Sequence, residues 1–90
     1  MPQTMKNRVR DLSPRQREVV RIVSLGCTLS EIATILDLKP NTADVHKNTA
    51  MQILGAGKAA TLTRLAIKYR ISPLDDRLTP GEKRKLAHKA

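Results

Sequence analysis

Ninety residues suffice for one domain with a small core, since 40% of the chain is hydrophobic. Lys and Arg number 17 against 8 Asp and Glu, a net charge of +9, which favours a polyanionic partner, nucleic acid first and an anionic membrane surface second. No apolar run approaches the ~20 residues of a spanning helix and the N-terminus lacks the apolar stretch of a signal peptide, so the chain is expected to be soluble and cytoplasmic.

One Tyr, with no Phe or Trp, leaves no aromatic platform for stacking single-stranded bases, which places duplex DNA ahead of single strands. The single cysteine, Cys27, excludes an internal disulfide and a cysteine-rich zinc site. It reads as a small packed residue between helices, with a redox switch as the alternative.

In chain order, Met1 to Arg10 carries Lys6, Arg8 and Arg10 without an apolar period, which predicts a basic flexible arm: a solvated tail, or a segment that rests on phosphates or enters a minor groove. Ser13-Pro14-Arg15-Gln16 then opens a first helix to Leu25, with a capping serine, a proline at the first helical position and glutamine three residues after the cap. Val19, Val20, Ile22, Val23 and Leu25 form its inward side; Arg15, Arg17, Glu18 and Arg21 are expected mostly outward. Gly26 ends it.

Thr28 and Glu31 make a second capping box, and Leu29, Ile32, Ala33 and Leu36 fall at i, i+3, i+4 and i+7 of a second helix. Pro40 lacks an N–H and pushes Lys39 out of helical geometry, so Asp37 to Lys39 is a turn. Pro40 also suits the start of a third helix, from about Asn41 to Leu54. On it Ala43, Lys47, Ala50 and Leu54 form an inward stripe, and Asn41, Asp44, Val45, Asn48 and Gln52 an outward one. Lys39 is a poor cap, and Lys47 fits its stripe only with its stem over the core and its amine at the edge, where a phosphate could receive it.

Gly55-Ala56-Gly57 ends that helix. A fourth runs from about Lys58 to Tyr69, with Leu62, Leu65, Ala66 and Tyr69 in register. Leu62, Leu65, Ile67 and Ile71 are more apolar surface than one narrow stripe needs, which suggests pairing with a second copy. Ser72 to Leu78 reads as a linker, and residues 72–90 as linker and basic tail. Thr79-Pro80-Gly81-Glu82 repeats the capping pattern, so a short extra helix to about Ala87 is expected, with few apolar residues to prevent fraying.

The fold class is thus all-α: a four-helix domain in which the second and third helices make a helix-turn-helix, plus a basic C-terminal tail. That plan suits the DNA major groove, although the pattern alone equally fits a helical bundle with no ligand. No enzyme constellation is present: the carboxylates are scattered, no Ser-His-Asp set is suggested, and Gly55-Ala56-Gly57 lacks the pattern of a phosphate loop. His46 and His88 are too few for a metal site, and no cofactor or small-molecule substrate is implied.

The run from Leu12 to Lys47 resembles the LuxR-type (GerE-type) helix-turn-helix domain of bacterial transcription regulators, the output domain of many response regulators. The matching positions are Leu12, Ser13, Arg15, Arg17-Glu18-Val19, Gly26, Glu31-Ile32-Ala33, Leu36, Leu38, Pro40, Thr42, His46 and Leu54-Gly55, and the resemblance spans about Asp11 to Ile71. It implies a third helix in the major groove, a fourth that often pairs two copies, and RNA polymerase as a further partner. By position, Asp44, Val45 and Asn48 fall where the family reaches base edges, with Asn41 on the same face, while Thr42, His46 and Lys47, with Lys39 beside them, fall on support and phosphate positions. The chain departs from the family at Gln16, Ala43 and Asp44, where glutamate, valine and often lysine are usual. Asp44 either accepts from cytosine N4 or adenine N6 or serves as a helix N-terminal carboxylate. A helical adaptor without base readout and a sigma-factor-like promoter-recognition domain are the competing readings. With no sensing domain ahead of Leu12, the chain is expected to be a stand-alone regulator or a fragment of one.

Overall fold

A computed structural model describes residues 4–89. The first three residues of the expected arm and Ala90 of the tail lie outside the described residues. Six helices follow in order: α1 Met5–Arg10, α2 Pro14–Ser24, α3 Leu29–Leu36, α4 Pro40–Leu54, α5 Ala59–Lys68 and α6 Pro80–Lys89. No strand occurs among the described residues.

The four expected helices are α2 to α5, within a residue or two of their predicted ends. Both predicted capping boxes form. The Ser13 hydroxyl accepts from the Gln16 N–H at 3.1 Å while the Gln16 amide oxygen accepts from the Ser13 N–H at 2.8 Å, and Thr28 and Glu31 do the same at 3.2 and 2.8 Å. Asp37, left-handed at φ 56°, turns the chain out of α3, and the Leu38 N–H closes that end by donating to the Ala33 carbonyl at 2.8 Å.

The core is two clusters with α2 between them. Val20 joins Val9, Leu12, Ala50, Leu54, Ala56, Leu62 and Ala66 on one side; Val19 and Ile22 join Ile32, Ala33, Ile35 and Ala43 on the other. Val19, Val20 and Leu62 are fully enclosed and Ile22, Ile32 and Leu54 are 1% exposed, each contributing about 1.5 to 3 kcal/mol by leaving water. Cys27 is half-buried against the second cluster. Burial, aided by the charges of Glu31 and Glu82, pushes its thiol pKa up, away from the thiolate that a redox switch needs.

Several expectations are corrected. The segment expected to be a flexible arm is helical from Met5. Thr4 caps it by accepting from the Asn7 N–H, Val9 is 8% exposed, and Arg17 Nη2 donates to the Val9 carbonyl at 2.8 Å. Met5, Val9 and Leu12, at i, i+4 and i+7, all pack on the first cluster, a short period behind the Thr4 cap that the basic residues between them obscured. α1 lies against the C-terminal end of α4, where Arg8 Nη1 stands 3.0 Å from the place a Cβ at Gly55 would occupy. Leu62, expected at a pairing surface, is instead in the core against Val20 and Leu54, because α5 must bury its central residue on α2 to pack at all.

Arg21, expected outward, is half-buried and holds the C-terminal segment in place, so the expected linker and frayed tail are docked. Its Nε donates to Asp76 Oδ2 and its Nη1 to Glu82 Oε2, both at 2.8 Å, and its Nη2 to the Arg77 carbonyl at 3.0 Å. Ser72, 2% exposed, donates to the same Asp76 carboxylate at 3.1 Å. Thr79 and Glu82 form the expected third capping box, and Leu78 and Leu86 pack on the second cluster. The Arg21 guanidinium holds the Asp76 pKa below its ordinary value. At Glu82 burial works upward, but the hydrogen bonds from Arg21 and Thr79 outweigh it and the net shift is also downward.

Ile32→Ala should destabilise the chain by roughly 2 to 5 kcal/mol through lost burial and a residual cavity; an unchanged melting temperature would contradict the packing of Ile32 on α2. Carboxylates with depressed folded pKa values stabilise above their ordinary range near pH 4, and that stabilisation is lost as the pH falls through the depressed values. Arg21→Gln should therefore be less stable than the parent by about 1 to 3 kcal/mol at neutral pH. In urea unfolding the gap should close below about pH 4; a gap that persists in acid would show that Arg21 does not act through these carboxylates.

Candidate nucleic-acid interface

The helix-turn-helix is α3, the turn Asp37 to Lys39, and α4, which at 15 residues is about 22 Å long. α4 is held from behind by Ala43, Ala50 and Leu54, which are 0%, 0% and 1% exposed. Two alanines in that seam let the helix approach its neighbours closely, against α2 and α3. The outward side is open: Asn41, Val45, Asn48 and Gln52 are all exposed, Val45 at 62%. At 100° per residue these four make one stripe along the helix. The stripe offers three amide side chains with one apolar side chain, Val45, between them.

The N-terminal end of α4 differs from those of α2 and α3. Lys39 gives no side-chain cap and Pro40 occupies the first turn, so the N–H groups of that turn have no side-chain acceptor and the positive end of the helix dipole is left uncompensated. An anion placed there would satisfy both. Lys39 and Thr42 are exposed around this end, and His46 is half-buried one turn further on.

Asp44 and Lys47 are placed together. Lys47 Nζ stands 3.6 Å from Asp44 Oδ1, with the lysine side chain 25% exposed and the aspartate 44%. A lysine side chain three-quarters covered, with its amine beside an exposed carboxylate, suits a place in an inward stripe, because the stem can be buried while the charge stays at the edge. The pair offsets the charge of the one carboxylate on this face of α4. A partly exposed pair of this kind is worth well under about 1 kcal/mol, so a phosphate can draw the amine away at little cost.

The expected readout and phosphate residues therefore share one helix and its entry turn. Of the expected pairing residues, Leu65 and Ile71 are half-buried against the first cluster and Ile67 is 37% exposed. Leu74, 85% exposed, lines a shallow depression with Ile67. Sequence reasoning missed Lys85, whose amine donates to Asp37 Oδ2 at 3.0 Å and to the Ile35 carbonyl at 2.9 Å, beside the turn. Those partners lie far apart in sequence, and no local pattern signals them. Among the described residues no cluster of three His, Cys, Asp or Glu could hold a metal, and no helix is long and apolar enough to cross a membrane.

Among the described residues, an all-helical fold with a helix-turn-helix and an open outward face on its second helix, in a chain of net charge +9, fits the class of DNA-binding regulators. Residues 10–66 match the model of the bacterial regulatory proteins of the luxR family, and the chain belongs to that family of DNA-binding transcriptional regulators. Among curated proteins it is 40% identical over 60 residues to the transcriptional activator protein BjaR1 of Bradyrhizobium diazoefficiens, covering 67% of this chain and 25% of that protein. It is 32% identical over 69 residues to the transcriptional regulatory protein FixJ of Rhizobium meliloti, covering 77% of this chain and 34% of that one. The FixJ protein of Bradyrhizobium diazoefficiens is 33% identical over 66 residues, covering 73% and 32%. The chain thus spans about a quarter to a third of the length of these relatives. No solved structure matches it.

Proposed function

We propose that this chain binds duplex DNA sequence-specifically, with α4 in the major groove, as the readout unit of a bacterial transcription regulator. The observation that carries the reading is the exposed Asn41, Val45, Asn48 and Gln52 stripe on a helix whose N-terminal end is uncapped. Lys39, Thr42, His46 and Lys47 position the helix on phosphates. Asn48 pairs with adenine N6 and N7, Val45 meets a thymine methyl, and Asn41 and Asp44 complete the reading edge. Asp44 and Lys47 act in sequence: as a phosphate draws the lysine amine away, the carboxylate becomes available to accept from cytosine N4 or adenine N6. The proposed partners are duplex DNA, a second copy of the chain on a two-half-site operator and RNA polymerase at the promoter. No catalytic step, cofactor or small-molecule substrate enters, and the place of action is the cytoplasm.

Pairing is proposed through the exposed edge of α5 at Ile67, with the half-buried Leu65 and, just past the helix, Ile71 contributing at most their rims. Support comes from Leu74, which extends the apolar surface next to Ile67. Domains of this size gain affinity and site selection by binding two half-sites about one helical turn apart.

Asn48→Ala should cost about 1 to 3 kcal/mol on the best site and relax the preference at one base position. Lys47→Ala should instead weaken all sequences alike and lower the salt slope by about one unit. Should neither substitution alter preference or slope, α4 is not the reader and a protein-binding adaptor becomes the better account, a reading that the Asp44–Lys47 pair also suits because it reduces the positive charge of this face. For pairing, sedimentation with a symmetric duplex should find two chains per site, falling to one with Ile67→Glu; one chain per site in the parent would remove the pairing proposal.

A further inference from the structure

A basic surface that the readout proposal does not use is α6, which lies beyond the segment matched by the family model. Its docked side is accounted for: Glu82 is held by Arg21, Leu86 packs on the second cluster, and Lys85 reaches the end of α3. Those residues form one stripe, so Lys83, Arg84 and Ala87 point away from the body of the protein, and all three are exposed. Neither Lys83 nor Arg84 has an ion-pair partner among the described residues.

The place where α6 is fastened sets these charges beside the helix-turn-helix. Lys85 is bonded to Asp37 at 3.0 Å, and Asp37 is two residues, at most about 7 Å of chain, from Lys39 at the entrance to α4. His88 lines the surface beside Thr34, Asp37 and Leu38. In helix-turn-helix docking the first helix crosses the DNA backbone while the second enters the groove; α6 packs on that first helix, α3, near the turn. Asp37, 83% exposed in its side chain, would repel a phosphate strand passing the turn, and the Lys85 ammonium offsets that charge.

We infer that α6 is a second DNA contact, in which Lys83 and Arg84 engage phosphates of the strand flanking the groove that α4 enters. The inference rests on the duplex-DNA reading of α4. It assigns the C-terminal segment a role in affinity and none in base choice, because phosphates carry no sequence information. The Arg21 clamp, by holding Asp76 and Glu82, sets the position of this basic ridge.

The test measures the full chain on its best duplex site and on a scrambled duplex across about 50 to 200 mM salt. Lys83→Gln/Arg84→Gln should weaken both duplexes by the same factor and reduce the slope of log affinity against log salt by about one to two units. Helical content and melting temperature should stay those of the parent, since neither side chain joins the docking contacts. Lys6→Gln/Lys68→Gln removes the same net charge from a patch between α1 and α5 and should leave the slope as it is. An unchanged slope in the α6 variant overturns the inference, as does an equal drop in both variants, which would reduce the effect to net charge. A parent chain that shows no salt-dependent binding overturns the readout proposal together with this one. If Asn48→Ala shifts base preference while the α6 variant keeps the parental slope, only the inference about α6 fails.

Discussion

Everything in this molecule is arranged around the adjacent valines Val19 and Val20 of α2, both with no exposed surface. Neighbouring residues on a helix point about 100° apart, so two of them can be enclosed only if the helix has structure on both sides. α4 and α5 close the Val20 side and α3 with α4 the Val19 side. A chain this short cannot afford separate posts for two clusters. The entry angle of α3, and through the Asp37 turn that of α4, follows from how α2 fills the space between them.

The helix that carries the proposed readout is held by few strong local devices. α2 and α3 begin with reciprocal capping boxes, whereas α4 begins with an uncapped lysine. Its buried seam offers Ala43 and Ala50, which remove little apolar area from water, and only Leu54 anchors its far end deeply. α4 is placed by closeness of approach more than by area. Its open N–H groups and outward amides are unsatisfied by protein, a condition that an anionic, hydrogen-bonding partner relieves.

Charge is distributed to the same end. Several of the carboxylates are committed to cations within the fold: Asp76 and Glu82 to Arg21, Asp37 to Lys85, Asp44 to Lys47 and Glu18 to Arg15. Pairing does not change the net charge of +9, but it confines the negative potential to short dipoles. The positive excess then dominates at the range of a Debye length, where a polyanion is first met.

The local chemistry of the chain was enough to place four helices and the turn, because capping boxes mark the starts of α2 and α3 without distant help, Pro40 marks that of α4, and apolar period with Gly55-Ala56-Gly57 ahead of it marks α5. It also identified the outward stripe of α4, since a helical period decides which residues share a face. What it could not decide was anything that depends on contacts between distant segments. The N-terminal residues looked like a solvated arm until Val9 met the first cluster and Arg17 reached its carbonyl. Leu62 looked available for a partner until α2 covered it, and Arg21 looked like one more surface cation until Asp76 and Glu82, 55 and 61 residues away, closed around it. Periodicity reports the surface a helix turns toward its neighbours, while an ion pair between distant residues has no period and exists only once folding brings its partners within reach.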